Sequence, residues 1–167
     1  YMIQGKGSNN FDKPKQFLHK YPAAAEELVT LLQAVLTKYL VMQIKAGANA
    51  VQIFDSWGGI LSKDDYLDWS ARPVNAIFRG LEEFEVPRIL FVNNIAPYLD
   101  ILKTVDCEVV GVDYRTDIAD VAATLPNKSV QGNLDPSVLF NTREKVVERT
   151  LQILDSLDNH DNLIFNL

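Results

Sequence analysis

Short runs of apolar residues, each followed by polar residues or glycine, alternate with longer segments in which apolar residues recur every three or four positions. The clearest run is residues 50–54 (AVQIF), which lead into Asp55, Ser56 and the glycine pair 58–59. β-Branched and aromatic residues favour an extended, mostly buried conformation, and paired glycines allow a sharp turn. We therefore predict a buried strand, Phe54 included, that ends in a loop presenting Asp55 and Ser56.

Other segments with this pattern predict further strands. They are residues 1–3, 88–92, 108–112, 129–134 and a final strand that begins near Asn162. Each internal strand ends in polar residues, among them Asn93-Asn94, Asp113 and Asn133. Parallel α/β proteins place their chemistry on the loops at the carboxyl ends of the strands, so these positions are candidate site residues.

Helical periodicity and capping residues fill the segments between the strands. Asp12 with Pro14 predicts the start of a short first helix, and Gly47 suits the left-handed position after a second. The second helix has an apolar stripe that we expect to face the core: Leu28, Leu31, Leu32, Val35, Tyr39 and Met42. Later helices are predicted to start at Ser62, at Thr116 or Asp117, and at Asn141, with an interruption near Pro73 and a final stripe of Val147, Leu151, Leu154 and Leu157.

Regular alternation of strands and helices predicts parallel strands joined by right-handed crossovers. Recurrent polar strand ends favour a (β/α)8 TIM barrel, and a doubly wound open sheet is the alternative. Because residues 1–3 and 163–167 have strand patterns at the two ends of the chain, we expect the barrel to be incomplete. Residues 1–167 are then part of a single barrel domain that is truncated at both ends.

Composition limits the classes of partner. The 167 residues are 47% hydrophobic and carry a net charge of −6, which argues against nucleic acid as the main partner. No apolar run approaches the roughly 20 residues of a membrane span, and no leader pattern is visible. The single cysteine, Cys107, fits a reducing compartment, so we expect a cytoplasmic protein without a membrane partner.

Four ordered segments resemble the motifs of the uroporphyrinogen decarboxylase family. They are residues 1–8 (YMIQGKGS), 52–59 (QIFDSWGG), 111–114 (GVDY) and 131–136 (QGNLDP). The resemblance spans essentially the whole chain and implies the region from the end of the third barrel strand to the middle of the eighth. It implies a cytoplasmic homodimer of single barrels, each about twice this length, that uses no metal or organic cofactor.

The implied activity is removal of the carboxyl groups of four acetate side chains of uroporphyrinogen, giving coproporphyrinogen in haem biosynthesis. Decarboxylation needs an electron sink, and a pyrrole ring protonated at the carbon that bears the acetate supplies one. The enzyme must therefore position the macrocycle, hold its carboxylates and stabilise positive charge on the ring. The substrate is a tetrapyrrole, and the partner is a second copy of the chain.

The resemblance assigns substrate binding to Tyr1, close to the reacting acetate, and to Ser56, whose hydroxyl contacts a substrate carboxylate. The family's essential aspartate and arginine-rich loop lie upstream of these residues, and its histidine lies downstream. No catalytic residue and no metal ligand is therefore expected within residues 1–167, and we expect this piece alone to be inactive. Departures from the family pattern are Gln4, Lys6 and Asn93-Asn94.

The remaining polar candidates have two interpretations each. Asp55 and Asp113 are either acids or carboxylates that orient backbone N–H groups, and we favour the second interpretation. Arg115 either binds a substrate carboxylate or pairs with a neighbouring aspartate, and Lys6 is a possible anion contact. We expect no chemical role for three further residues. His19 and His160 are predicted to be solvated, and Cys107 is predicted to be partly buried.

Two other functions remain open. Zinc-dependent corrinoid or methionine-forming methyltransferases use related barrels, but they need His-x-Cys and a later Cys as metal ligands, and this chain has one cysteine. A non-catalytic barrel that binds a tetrapyrrole is the second alternative, and Lys6 with Asn93-Asn94 leaves it open.

Overall fold

The computed structural model describes residues 2–157 and 160–167. In this described part of the chain, five strands form one sheet, and every neighbouring pair is parallel. In chain order the strands are β1 (Val51–Asp55), β2 (Arg88–Val92), β3 (Val109–Val112), β4 (Ser129–Asn133) and β5 (Leu163–Asn166). Their spatial order is also β1-β2-β3-β4-β5, so each crossover leads to the adjacent strand.

Within residues 2–157 and 160–167, seven α-helices precede or connect these strands. They are α1 (Asp12–Lys20), α2 (Pro22–Lys45), α3 (Lys63–Tyr66), α4 (Arg72–Arg79), α5 (Leu99–Leu102), α6 (Ile118–Thr124) and α7 (Arg143–Asp155). Short 3-10 turns lie at Gly58–Ile60, Ala96–Tyr98, Pro136–Phe140 and His160–Asn162. The predicted interruption near Pro73 takes the form of a π-helical segment, Leu67–Ala71, that joins α3 to α4 without a break. Pro73 then falls at the second residue of α4, directly after this π-helical segment.

Capping residues confirm two of the four predicted helix starts, those at Ser62 and Asp117. The Ser62 hydroxyl accepts from the Asp65 N–H at 3.2 Å, and the Asp117 carboxylate accepts from the Ala119 N–H at 2.8 Å. The predicted cap at Asp12 is wrong, because α1 already includes it. The start predicted at Asn141 lies one residue later, since the hydroxyl of Thr142 caps α7.

The core lies on one face of the sheet. Strand side chains that point towards the helices are buried. Together with helical residues they form a single cluster, whose strand members include Val51, Leu90, Val92, Val110, Val112 and Val130. The residues between them in sequence lie on the opposite face, as the period-two geometry of strands requires. A doubly wound sheet would be covered by helices on both faces, so this arrangement favours the barrel.

A hydrogen bond across the uncovered face shows how strongly the sheet curves. The Gln131 side-chain N–H on β4 donates to the Gln52 side-chain carbonyl on β1 at 3.3 Å. Neighbouring strands are about 4.8 Å apart, so a flat sheet would separate the backbones of β1 and β4 by roughly 14 Å. Two glutamine side chains could bridge that separation only if both lay fully extended along the sheet. The uncovered face is therefore concave, and we call it the inner face. The observed sheet is part of a barrel wall.

Phe54 was predicted to be buried, and this is wrong. Its side chain is 68% exposed because it lies on the inner face, while Val51 and Ile53 point to the helices. The segment at residues 1–3 was predicted to be a strand end, but Met2 and Ile3 form a turn without a strand partner among the described residues. Tyr1 lies outside the described residues.

The apolar stripes of α2 and α7 also differ from the prediction. Most of their members are exposed, whereas Leu40, Val41 and Ile44 of α2 pack against the core. The exposed members are Leu31, Val35, Tyr39 and Met42 of α2 with Val147 and Leu151 of α7. Both helices lie at the two ends of the curved sheet, so one side of each helix has no helical neighbour among the described residues. This placement is what an incomplete barrel produces.

Helix α2 is 24 residues long, and its most apolar window has a mean hydropathy of 1.3. These values would suffice, by length and composition alone, for a membrane span, although the sequence contains no unbroken apolar run of that length. Core helices of globular proteins meet the same criterion. The finding by itself does not indicate a membrane protein.

Replacing Leu90 with alanine should destabilise the protein, because its side chain is 0% exposed at the centre of the core. We expect the free energy of unfolding of the full-length protein to fall by about 2–5 kcal/mol in urea titrations. Leu139→Ala is the matched control, since Leu139 is 52% exposed and should cost less than about 1 kcal/mol. Equal losses in the two variants would contradict the assignment of the core.

Candidate active site at the carboxyl ends of the strands

Parallel strands bring their carboxyl ends to one edge of the sheet, which we call the rim. Ser56 follows β1 directly and is exposed there. The loops after β2 and β3 place Asn93-Asn94 and Asp113 at the same rim, and Asn133 lies at the end of β4. The predicted clustering of polar strand ends is therefore present in the described residues.

Asp55 supports the loop that carries Ser56. Its carboxylate points towards the helices, where it accepts hydrogen bonds from the Ser70 hydroxyl and the Gly58 backbone N–H. Burial raises the pKa of this carboxyl group above its ordinary value, and the two hydrogen bonds oppose the rise. These contacts match the interpretation of Asp55 as a carboxylate that orients the backbone.

Two buried tyrosines, Tyr66 and Tyr98, lie beneath the loop that follows β1. Their rings stack with centroids 4.1 Å apart, and the Tyr98 hydroxyl donates to the Leu61 carbonyl at 2.7 Å. The Tyr66 hydroxyl is buried without a hydrogen-bond partner in residues 2–157 and 160–167. Burial, with a smaller contribution from the charge of Asp55, raises the pKa of Tyr66, so this phenol stays neutral.

The loop after β1 is packed tightly against the loop after β2. A Cβ atom at Gly59 would lie 1.8 Å from the Asn93 carbonyl oxygen and 2.8 Å from the Asn94 Cβ. No side chain fits in this space, so glycine is required by close approach. The sequence predicted a sharp turn at this glycine pair, and the structure adds a close approach between the two loops at Gly59.

Asp113 ties the loops after β2 and β3 together. Its buried carboxylate accepts from the Ile95 N–H at 3.2 Å, the Arg115 N–H at 3.1 Å and the Thr116 hydroxyl at 3.4 Å. The Asn133 side-chain amide donates to the Asp113 carbonyl at 3.1 Å and to the Thr116 carbonyl at 2.6 Å. These bonds favour an orienting role for Asp113 over that of a free acid.

Arg115 lies at the rim beside these groups. Its Nη1 donates to the side-chain carbonyls of Asn93 at 2.8 Å and Asn94 at 3.2 Å, and lies 3.5 Å from an Asp113 carboxylate oxygen. Both interpretations from the sequence therefore still apply, because Arg115 is near an aspartate and is also half-exposed at the rim.

The inner face offers an apolar surface next to this polar rim. The Phe54 and Phe91 rings have centroids 6.0 Å apart, and Phe91 packs over Gly111, where a Cβ would lie 3.0 Å from the ring. Sequence reasoning did not identify this pair as site residues. The alternation of Val51 and Ile53 with Gln52 and Phe54 was the signal that could have placed Phe54 on this face.

A separate cavity of about 440 Å³ lies between α1, α2 and the end of β1. Its walls are almost wholly apolar, with Leu28 and Leu32 of α2 facing Ile53 and Trp69. A cavity with such walls offers few hydrogen-bond partners to a charged ligand.

The other candidates give no second site. Lys6 is exposed, and the imidazole of His19 is exposed beside Asp65 at 3.3 Å. Cys107 is buried, which raises the pKa of its thiol to about 11, so it stays protonated at neutral pH. The side chain of His160 lies outside the described residues, as does Tyr1. Within the described residues, no three His, Cys, Asp or Glu side chains are grouped as a metal ion would require.

A model of the uroporphyrinogen decarboxylase (URO-D) family matches residues 1–167. The chain belongs to this family. Proteins named uroporphyrinogen decarboxylase from Saccharophagus degradans and Citrifermentans bemidjiense are 38% and 36% identical to it. One from Bacillus velezensis is 39% identical. Each alignment covers 100% of this chain, which spans about half the length of these relatives, from 47% to 49%.

Membership in the uroporphyrinogen decarboxylase family confirms the predicted (β/α)8 barrel, which is incomplete in these residues. The doubly wound alternative is wrong for a sheet with this strand order and one helical face. The assignment of Tyr1 and Ser56 as substrate-binding residues stays a prediction.

Gly59→Ala should displace the loop that carries Ser56, because its Cβ would overlap the Asn93 carbonyl. We expect a loss of about 1–3 kcal/mol in the free energy of unfolding of the full-length protein, measured by urea titration. Wild-type stability in this variant would show that the two loops are not in contact.

Asp55→Asn should change how stability depends on pH. Because the folded pKa of Asp55 is raised, the folded state binds more protons, so its contribution falls as pH rises from about 4 through the folded pKa. Relative to wild type, the asparagine variant should therefore gain stability as pH rises, measured by urea titration between pH 4 and 8.

Asp100→Asn is the control for this experiment. A hydrogen bond from Lys63 lowers the pKa of Asp100, so its contribution is lost only below about pH 4. The difference in stability between wild type and Asp100→Asn should therefore stay nearly constant between pH 4 and 8. A difference between wild type and Asp55→Asn that does not vary with pH would contradict the buried placement of the Asp55 carboxyl.

Proposed function

We propose that the protein to which these residues belong is a uroporphyrinogen decarboxylase. It removes four acetate carboxyl groups from uroporphyrinogen to give coproporphyrinogen, and it serves haem biosynthesis. The observation that carries this proposal is the match of the family across all 167 residues, together with relatives of that name at 36% to 39% identity.

The geometry of the described residues supports this assignment. A polycarboxylate macrocycle needs an apolar surface for its rings and polar groups around its edge. Phe54 and Phe91 supply an apolar surface on the inner face, and Ser56 and Arg115 lie at the rim beside it. The two kinds of surface meet at the carboxyl end of β1.

In the proposed mechanism the substrate provides its own electron sink. Protonation of a pyrrole carbon that bears an acetate allows the ring to accept the electron pair released with CO₂. The Ser56 hydroxyl contacts a substrate carboxylate, and Tyr1 lies close to the reacting acetate. Their role is to hold the macrocycle in place, since hydroxyl donors bind carboxylates well in a partly dry site.

The wider assignments follow from the same proposal. Residues 1–167 are one part of a single barrel domain, and the whole protein is a cytoplasmic homodimer that uses no cofactor. The aspartate that stabilises the pyrrole N–H groups and an arginine-rich loop are supplied by residues outside these 167. This part alone is therefore expected to lack turnover.

The test is an assay of the full-length protein with uroporphyrinogen, in which release of coproporphyrinogen is followed by chromatography. Formation of coproporphyrinogen supports the proposal. Tetrapyrrole binding without turnover would indicate a non-catalytic barrel, and stoichiometric zinc in the purified protein would indicate a methyltransferase instead.

Ser56→Ala in the full-length protein should lower kcat/KM for uroporphyrinogen by about 10- to 100-fold, because a hydrogen bond to a charged carboxylate is lost. Tyr1→Phe should weaken turnover in the same direction. The matched control is Ser156→Ala, since Ser156 follows α7 and its hydroxyl donates only to the nearby Ile153 carbonyl. If Ser56→Ala and Tyr1→Phe both leave the kinetics at the wild-type level, these site assignments are wrong.

A further inference from the structure

The guanidinium of Arg115 is connected to the Ser56 loop through Asn93. Gly59 of that loop lies against the Asn93 carbonyl, and the Asn93 side chain in turn accepts from Arg115 at 2.8 Å. A single row of contacts therefore runs along the rim from the end of β1 to the end of β3. Arg115 belongs to the same surface as the residue assigned to substrate binding.

Arg115 is anchored through one nitrogen by neutral acceptors. Both hydrogen bonds from Nη1 go to side-chain carbonyls, those of Asn93 at 2.8 Å and Asn94 at 3.2 Å. Asn94 has a left-handed φ of 57°, a conformation that asparagine tolerates better than most residues. Amide oxygens fix the position of a guanidinium without neutralising its charge.

The Asp113 carboxylate forms an ion pair with this charge through Nη1 alone. The charge of Arg115 also helps, after the hydrogen bonds from Ser137, to lower the pKa of the Asp135 carboxyl group. The Asp113 carboxylate lies 3.5 Å from Nη1, and its oxygens accept from the N–H groups of Ile95 and Arg115 at 3.2 and 3.1 Å. Arg88 offers a contrast, because its Nε and Nη2 donate to both Glu108 oxygens at 3.2 and 2.6 Å. That arginine is fully engaged inside the fold, and Arg115 is not.

The Nε and Nη2 edge of the Arg115 guanidinium is held in position and is accessible to solvent. Its carbon lies 4.8 Å from the centre of the Tyr114 ring, a cation–π contact that restrains the plane of the group. In residues 2–157 and 160–167, no group accepts a hydrogen bond from Nε or Nη2, and the side chain is 48% exposed. This pair of parallel N–H donors is the fork that matches the two oxygens of a carboxylate.

We propose that Arg115 binds a side-chain carboxylate of the substrate through Nε and Nη2, and so acts as a specificity-determining residue. This inference rests on the proposed function. The chemical class of the ligand is an acetate or propionate carboxylate at the edge of a tetrapyrrole.

The experiment measures binding and turnover separately in the full-length protein. Uroporphyrin, the oxidised fluorescent analogue of the substrate, is titrated against wild type, Arg115→Gln and Arg115→Lys, and KM for uroporphyrinogen is measured in parallel. We expect Arg115→Gln to raise Kd and KM about tenfold or more, because a charged bidentate contact is lost. Arg115→Lys keeps the charge but cannot make the bidentate contact. Its Kd and KM should therefore lie between those of wild type and Arg115→Gln.

A second ligand distinguishes binding of an acetate carboxylate from binding of a propionate carboxylate. Coproporphyrin lacks the acetate carboxyl groups, so its Kd stays at the wild-type value in Arg115→Gln if Arg115 binds an acetate. Its Kd rises together with that of uroporphyrin if Arg115 binds a carboxylate that both porphyrins retain. The matched control is Arg143→Gln, since Arg143 is exposed at the start of α7 and should leave both constants unchanged.

The outcomes for this inference and for the proposed function are distinct. If the wild-type protein turns over uroporphyrinogen, and Kd and KM of Arg115→Gln lie within twofold of the wild-type values, only the role of Arg115 is overturned. A wild-type protein that neither binds uroporphyrin nor converts uroporphyrinogen would overturn the proposed function and this inference with it. If Arg115→Gln fails to fold, Arg115→Lys decides, because an unchanged Kd in that variant would also overturn the bidentate contact.

Discussion

Curvature of the parallel sheet is the constraint on which the other features depend. Helices cover one face and leave the other concave, and side chains from β1 and β4 meet across it in the Gln131–Gln52 hydrogen bond. Because all five strands are parallel, curvature also brings their carboxyl ends onto one arc. An open, flatter sheet would hold the same residues but would separate their loops.

The loops on this arc are fixed by contacts between neighbouring strand ends. Gly59 lies against the Asn93 carbonyl, Asp113 accepts from the Ile95 N–H, and Asn133 donates to the Asp113 carbonyl. Each contact joins one loop to the next. The polar residues that look functional in the sequence are therefore largely those that assemble the rim, and exposed groups such as Ser56 are positioned by them.

Much of the fold was predictable because local signals agreed with one another. The internal strands lie where β-branched runs end in polar residues, and Ser62 and Asp117 cap helices as their residue types favour. The candidate site was predictable in part, since Ser56 lies exposed at the rim and Asp55 and Asp113 orient backbone groups. Phe54 and α2 were misjudged, because apolar character does not tell which side of an element meets the core.

The sequence by itself determined the order of the elements, their parallel arrangement and, through four ordered motifs, the family. These properties depend on residues that are close in the chain, so their pattern can be read without coordinates. Only the tertiary structure decided that Phe54 faces the concave side, that the stripe of α2 is exposed, and that Arg115 is anchored by two asparagines. Those facts depend on contacts between residues that are distant in sequence, because the curvature of the sheet sets which loops and faces meet.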